Sequence, residues 1–157
     1  MIDNKLESLY KSAYAKPNET LYEHTSELLS QCNILREYGY LKNKDLLYLL
    51  EVCCIYHDLG KINPAFQERI KTGKHFDQKK EIGHNILSAY LVNIYIDLNR
   101  EEKEIVISSI LNHHNYVANF DVITNQTDLI KENLTNINKK YFSQDEEDFN
   151  NKVVKSI

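Results

Sequence analysis

The first clear hydrophobic pattern in the chain is an apolar stripe between Asn18 and Gly39. Most of its members are three, four or seven residues apart, the spacing that places side chains on one helix face. They are Leu21, Leu28, Leu29, Cys32 and Leu35. Asparagine favours a helix N-cap and glycine a helix end, so the pattern predicts a helix from Asn18 to Gly39. On this helix His24 lies one turn before Leu28, and we expect its side chain to lean inward.

The second segment runs from Asn43 to Gly60 and is apolar on nearly its whole circumference, in DLLYLLEVCCIYHDL. A helix that is apolar all round is typical of a central, buried position. Asn63 and Pro64 then supply a cap and a first residue for a short helix that ends near Gly73. The sequence therefore predicts a buried central helix followed by a short capped one.

Two further apolar helices are predicted in the second half of the chain. One is GHNILSAYLVNIYIDL, from Gly83, and the other is EEKEIVISSILNHHN, which finishes at His113 and His114. The pattern weakens after Asn115, although TDLIKENLTNINKKYF remains helical in character, and the final residues carry no clear pattern. No segment alternates convincingly as a strand would. The prediction is an all-α protein, a compact helical bundle forming a single domain over residues 1–157.

Composition and charge narrow the class of protein. No stretch approaches the ~18 uncharged apolar residues that cross a bilayer, and MIDNKLESLYKS lacks the apolar core of a signal peptide. We therefore expect a cytoplasmic protein with no membrane partner. The net charge of −4 argues against a protein that simply coats nucleic acid. It does not argue against an enzyme that holds phosphates through metal ions, because bound divalent cations reverse the local sign.

Five of the six histidines lie at the starts, interiors or ends of predicted helices. They are His24, His57, His84, His113 and His114, whereas His75 lies in a polar loop and is left out. Their long separations do not fit a zinc finger, but they fit a bundle whose successive helices send ligands into one cavity. Asp58 adjoins His57, and its short carboxylate can bridge two ions. Imidazoles with a carboxylate and no thiolate predict one or two divalent ions, of Mn, Fe, Co, Ni or Mg.

Each of these residues also has an ordinary structural interpretation. His24 alone could be a satisfied core histidine, and His84 could simply begin its helix. His113 and His114 could be a solvated pair favoured by the dipole at a helix C-terminus. A His-Asp dipeptide occurs by chance in many proteins. The metal interpretation is stronger because all of these explanations would have to hold at once.

The ordered histidines and the segment HDLGKINPAFQ resemble the HD-domain metal-dependent phosphohydrolases. More narrowly, they resemble the CRISPR-associated HD nuclease of type I interference, in which an HD-x-x-K segment is followed by Pro and Phe-Gln. GHNILSAYL resembles that family's next histidine helix, and the double histidine is closer to this branch than to the HD nucleotidases. The resemblance covers Leu21 to Asn115. It implies an all-α domain that cuts single-stranded DNA with divalent metal ions.

The resemblance also implies a role for each candidate residue. The ions would be held by His24, His57 and Asp58 in one site, and by Asp58, His84, His113 and His114 in the other. Asp58 would be the shared catalytic residue. Lys61, otherwise an ordinary cation after a helix end, would neutralise phosphate charge in the transition state. The implied partners are a CRISPR helicase subunit or domain and a guide-RNA surveillance complex; the chain itself has no G-x-x-x-x-G-K-[ST] loop for ATP.

The family pattern also includes an aspartate on a helix well downstream of the double histidine. The later aspartates of this chain, none of them in that apolar helical setting, are Asp121, Asp128, Asp145 and Asp148. We therefore expect the chain to lack the C-terminal portion that would carry this residue. The first ion would then be short of one ligand, and cleavage would be weak.

Two other functions are compatible with the same residues. An HD phosphohydrolase acting on nucleotides or cyclic dinucleotides would share the metal chemistry but would need a closed pocket that reads a base. A degenerate HD domain could serve as an interaction module, which the missing aspartate favours and the retained ligand set disfavours. A metal-dependent deoxyribonuclease of CRISPR antiviral defence, with endo- or exonuclease action left open, is the leading prediction.

Overall fold

Helices make up most of the described structure. The computed structural model describes residues 4–114 and 119–156, and within these ranges it contains nine α-helices. They are α1 (Asn4–Ser12), α2 (Leu21–Glu37), α3 (Lys44–Tyr56), α4 (Pro64–Thr72), α5 (His84–Tyr95), α6 (Arg100–Asn112), α7 (Asn119–Asn125), α8 (Thr127–Ile137) and α9 (Glu146–Ser156). A 3₁₀ helix spans Leu59–Ile62, and a π-helical turn spans Asn138–Phe142. The predicted all-α helical bundle is confirmed.

Helix α5 lies at the centre of the bundle, where it contacts α6, α8, α9 and the 3₁₀ helix. All its residues from Asn85 to Val92 are buried. The central position predicted for α3 is therefore wrong. α3 packs against α2 and α6, but its outer face leaves Leu46 and Tyr48 half exposed. α3 is apolar on nearly all sides because one face packs in the core while another apolar face is only partly covered by neighbouring elements.

The start of α2 differs from the predicted one because a short hairpin precedes it. Strands β1 (Tyr14–Lys16) and β2 (Glu19–Thr20) pair antiparallel, and Asn18 lies in the turn between them. The N-cap is Thr20, whose hydroxyl accepts the N–H of Glu23, while the Glu23 carboxylate accepts the N–H of Thr20. This reciprocal capping box sets the helix start two residues after the predicted cap. Strands this short leave no alternating pattern that could have predicted them.

The predicted caps of α3 and α4 are correct, but α3 ends early. The Asn43 side chain caps α3, and Asn63 caps α4, whose first residue is Pro64. α3 stops at Tyr56 rather than near Gly60, and the chain turns into the 3₁₀ helix. This break places the histidine and aspartate of the candidate site at a junction between two elements.

Helices α1, α7 and α9 lie in segments for which the sequence predicted none. α1 is joined to α3 by Tyr10, whose hydroxyl donates a hydrogen bond to the Ile55 carbonyl, and α9 buries Phe149 in the main core. The segment TDLIKENLTNINKKYF, predicted to be helical, forms α8 and the π-helical turn. Residues 115–118, where the pattern begins to weaken, lie outside the described residues. Within the described ranges, every helix is too short or too polar to span a bilayer.

Candidate metal centre

Asp58 lies at the junction between α3 and the 3₁₀ helix, with a side chain that is only 3% exposed. His57, the C-cap of α3, directly precedes it. The Nε2 atom of His57 lies 3.4 Å from Oδ2 of Asp58, so the adjacent side chains reach the same cluster. The early end of α3 therefore puts both residues of the HD pair at one point of the interior.

The 3₁₀ helix is held against α5 through Gly60. Its N–H donates a hydrogen bond of 2.7 Å to the Ser88 hydroxyl. A Cβ atom at Gly60 would lie 2.2 Å from the backbone oxygen of His84 and 2.8 Å from the backbone nitrogen of Ser88. Only glycine permits so close an approach, and this approach brings the start of α5, with His84, next to Asp58.

The two carboxylate oxygens of Asp58 face different histidines. Oδ2 lies 3.4 Å from Nε2 of His24 and 3.4 Å from Nε2 of His57. Oδ1 lies 3.1 Å from Nε2 of His84 and 3.8 Å from Nε2 of His113. One carboxylate thus stands between two separate pairs of ring nitrogens, as a bridging ligand would.

Three of these histidines are oriented through their Nδ1 atoms. The Nδ1–H of His57 donates to the Cys54 carbonyl at 3.0 Å, and that of His113 donates to the Ile110 carbonyl at 2.6 Å. The Nδ1–H of His24 donates a hydrogen bond of 2.7 Å to a carboxylate oxygen of Glu19. Protonation at Nδ1 leaves Nε2 with a lone pair, and in all three residues Nε2 is the atom that faces Asp58.

His84 and His114 approach each other on the other side of the cluster. His84 is the first residue of α5, and His114 follows the end of α6. Their Nε2 atoms are 2.8 Å apart, and the His113 and His114 ring centroids are 3.9 Å apart. Several imidazoles from two helix ends therefore converge on one small volume beside Oδ1 of Asp58.

The electrostatics of the cluster favour an ionised Asp58 beside neutral His84 and His114 side chains. Burial opposes ionisation of Asp58, but the surrounding His113, His57 and His84 side chains outweigh it and hold the pKa of the carboxyl well below its ordinary value. Burial lowers the pKa of His84. Burial, with the neighbouring His113 and His84, lowers the pKa of His114 to about 4. Near pH 7 Asp58 is therefore anionic and His84 and His114 are neutral, which are the protonation states that metal ligation requires.

The donor atoms fit divalent cations. Two groups have ligand atoms that all lie within 4.8 Å of one another: His24, His57 and Asp58, and Asp58, His84, His113 and His114. Oδ1 of Asp58 is buried and has no hydrogen-bond donor within the described part of the chain. A buried acceptor without a donor is costly, and a cation among the facing nitrogens would satisfy it. Imidazole nitrogen with carboxylate oxygen suits the predicted first-row metals.

Lys61 brings a positive charge next to the Asp58 carboxylate. Its ammonium donates a hydrogen bond of 2.6 Å to Oδ2 of Asp58, and its side chain is 10% exposed. It also lies 5.9 Å from the centroid of the Phe66 ring. A lysine so placed partly neutralises the Oδ2 side of the carboxylate and directs a cationic group to the edge of the cluster.

The structure brings together all seven residues predicted for the site, and their role as ligands or catalytic groups stays a prediction. His75 lies outside the cluster on an exposed loop. The late carboxylates Asp128, Asp145 and Asp148 are outside both ligand groups, and the side chain of Asp121 is outside the described residues. Glu19, which orients His24, was not predicted. The sequence carried no signal for it, because Glu19 reaches His24 only through the unpredicted hairpin.

Comparison with known proteins agrees with this geometry. A family model described as Cas3, HD domain, matches residues 15–154, nearly the whole chain and every residue of the cluster. No curated protein matches significantly. No solved structure does so either. The match begins within β1, ends within α9 and includes the HD pair, the lysine and the double histidine, and the chain belongs to the Cas3 HD-domain family.

Proposed function

We propose that this protein hydrolyses phosphodiester bonds of single-stranded DNA, with divalent ions held around Asp58, in type I CRISPR defence. Family membership implies a metal-dependent nuclease that works in a CRISPR context. The single-stranded substrate, the cooperation with a helicase and a guide-RNA surveillance complex, and the cytoplasmic location are parts of the proposal.

One observation carries the proposal: Oδ1 and Oδ2 of Asp58 each face a different pair of histidine Nε2 atoms. When bound there, divalent ions supply an activated water and neutralise charge on the phosphate. Asp58 holds the arrangement together because it alone contributes to both groups of ligands. Lys61 places an ammonium beside the same carboxylate, where it can bind a phosphate oxygen as charge develops.

The accessibility of the cluster supports a polymeric substrate. The side chains of the four histidines nearest Asp58 are between 14% and 20% exposed, whereas that of Asp58 is 3% exposed. The Asp58 carboxylate is therefore covered by the histidine side chains, which themselves reach the surface. A phosphate in the middle of a strand can approach such a centre without entering a closed cavity.

The test compares a labelled single-stranded oligonucleotide, its duplex and a panel of nucleotides and cyclic dinucleotides, each with Mn²⁺. We expect cleavage of the single strand, slower cleavage of the duplex, and loss of cleavage when EDTA is added. Hydrolysis of nucleotides without cleavage of DNA would support the phosphohydrolase alternative instead. Metal bound to the purified protein without any hydrolysis would support an interaction module.

A further inference from the structure

A groove lies beside the candidate metal centre on the side of His84, and most of its lining residues belong to neither group of candidate ligands. It has a volume of about 580 Å³ and is bounded by α4, the start of α5 and α7. Its wall includes Phe66, Arg69, Phe76, Glu81, His84 and Gln126. His84 also belongs to the ligand group around Asp58. A ligand in this groove therefore lies next to the candidate metal centre.

The groove presents aromatic faces held in place by an arginine. The guanidinium carbon of Arg69 lies 4.7 Å from the centroid of the Phe66 ring and 5.8 Å from that of Phe76. Such contacts favour an arrangement in which both rings lie against one guanidinium. Phe66 is 9% exposed, but Phe76 is 48% exposed. A ring that remains half exposed beside a groove gains contact area when a flat ligand stacks on it.

The charges in the groove are already balanced. Arg69 donates from Nε to a carboxylate oxygen of Glu81 at 2.9 Å, and the Glu81 side chain is buried. Because this cation has a partner, the groove does not select an anionic group such as phosphate. The amide of Gln126 adds a hydrogen-bonding group to the wall. Flat apolar faces with an amide and a neutral ion pair match a planar, uncharged ligand that carries hydrogen-bonding edges.

The position of the groove identifies that ligand. The centroid of the Phe66 ring lies 6.0 Å from that of His84, and His84 Nε2 lies 3.1 Å from Asp58. A nucleobase in the groove would have its own phosphate beside the metal ligands. We propose that this groove binds one nucleobase of the DNA strand, next to the phosphodiester that is cut, by stacking on Phe76. The inference rests on the proposed function, since it takes DNA as the substrate.

The test separates base recognition from phosphate recognition. An oligothymidylate and an abasic oligonucleotide of the same length carry the same phosphates, and binding of each is measured by fluorescence anisotropy in EDTA. Phe76→Ala should weaken binding of the oligothymidylate about tenfold, as loss of one stacked base does, and should change binding of the abasic strand by less than about twofold. Phe76→Trp should retain tight binding. Tyr40→Ala, at a 75% exposed position beyond the opposite end of α3, is the matched control and should change neither.

The possible results distinguish failure of the base-binding groove from failure of the nuclease function. A wild-type protein that does not distinguish the two strands, or a Phe76→Ala variant that affects both equally or neither, overturns the base-binding groove. An equal loss of oligothymidylate binding in Tyr40→Ala would also overturn it, because the effect would then not be specific to Phe76. Because these measurements need no hydrolysis, base binding that depends on Phe76 without any Mn²⁺-dependent cleavage would instead refute the nuclease function and keep the groove.

Discussion

At the scale of single residues, the candidate site depends on which atom of each side chain remains available. The Nδ1 atoms of His24, His57 and His113 are engaged by a carboxylate or a backbone carbonyl. Their Nε2 atoms are therefore left to face Asp58. The ring orientation is set before any ion arrives, which reduces the entropy lost on binding.

Replacing Asp58 by alanine should abolish metal binding and hydrolysis, because both ligand groups share its carboxylate. The structure adds a cost to stability, since the nearly buried Lys61 loses its ion-pair partner. We expect the variant to be destabilised by roughly 3 kcal/mol, the usual effect of removing one partner of a buried pair. Metal analysis, Mn²⁺-dependent cleavage and urea unfolding measure the three effects.

The matched control is Asp58→Ala combined with Lys61→Met, which removes the unpaired ammonium. It should recover most of the stability and none of the activity. Near-normal cleavage by either variant would contradict the two-ion arrangement.

Glu19 should act as a positioning residue through His24. Glu19→Ala removes the acceptor that fixes the His24 ring. It should lower the Mn²⁺ affinity of the group formed by His24, His57 and Asp58 about tenfold, as loss of such partners does in other metal sites. Glu19→Gln keeps an acceptor oxygen and should restore most of that affinity. The control is Glu27→Ala, at an exposed position on α2, the helix that carries His24. Equal metal affinity in the alanine variant and the native protein, measured by Mn²⁺ titration, would show that Glu19 serves only the hairpin.

At the scale of elements, the contact between the 3₁₀ helix and α5 determines whether Asp58 and His84 meet. The contact requires a residue without a side chain, since a Cβ at Gly60 would overlap backbone atoms of α5 that cannot move aside. The glycine of the HDLGK segment thus has a packing role that is separate from the metal chemistry.

Gly60→Ala should therefore separate the 3₁₀ helix from α5 and lower the free energy of unfolding by about 2 kcal/mol. It should also weaken metal binding at the group that contains His84. Thermal unfolding and metal titration measure the two effects. The control is Gly39→Ala. Gly39 has φ +67° and open space around it, so alanine there should cost about 1 kcal/mol of backbone strain and leave metal binding unchanged. A Gly60→Ala variant with normal metal affinity would contradict the proposed role of this contact.

The sequence predicted elements best where local chemistry alone determines them. Asn43 and Asn63 cap the helices that follow them, as predicted, because an N-cap depends on a few neighbouring atoms. The predicted N-cap at Asn18 was wrong, because Thr20 and Glu23 form a capping box that starts the helix two residues later. The apolar stripes of α1 (Leu6, Leu9 and Tyr10) and α9 (Phe149 and Val153) are present in the sequence but short, and these helices are stabilised by burial against distant segments.

At the scale of the whole molecule, four separate regions of the chain supply the candidate metal ligands. They are the first turns of α2, the junction after α3, the start of α5 and the end of α6. The order and types of these residues were readable from the sequence. Which oxygen of Asp58 faces which histidine was not, because it depends on how α5 packs against the 3₁₀ helix. The pairing of Lys61 with Oδ2 depends on the same packing.

The two ligand groups should bind ions with unequal affinity. The group on Oδ1 has three histidines and a carboxylate, whereas the group on Oδ2 has two histidines and a carboxylate oxygen already paired with Lys61. The first equivalent of Mn²⁺ should therefore bind at Oδ1. His114→Ala should lower the affinity for that equivalent at least about tenfold, and His24→Ala should leave it unchanged. Calorimetric titration of both variants measures the difference, and loss of the first equivalent in His24→Ala would reverse the assignment.

The spread of the ligands over the chain also links ion binding to folding. An unfolded chain cannot hold His24, Asp58, His84 and His114 together, so ions at the proposed site would bind the native state preferentially and stabilise it against unfolding. Each tenfold rise in free metal above the dissociation constant adds about 1.4 kcal/mol to the apparent stability, for each ion bound. We therefore expect the melting temperature of this bundle to rise with the concentration of the ion that it binds. A cell poor in the right ion would hold a protein that is both inactive and more easily unfolded.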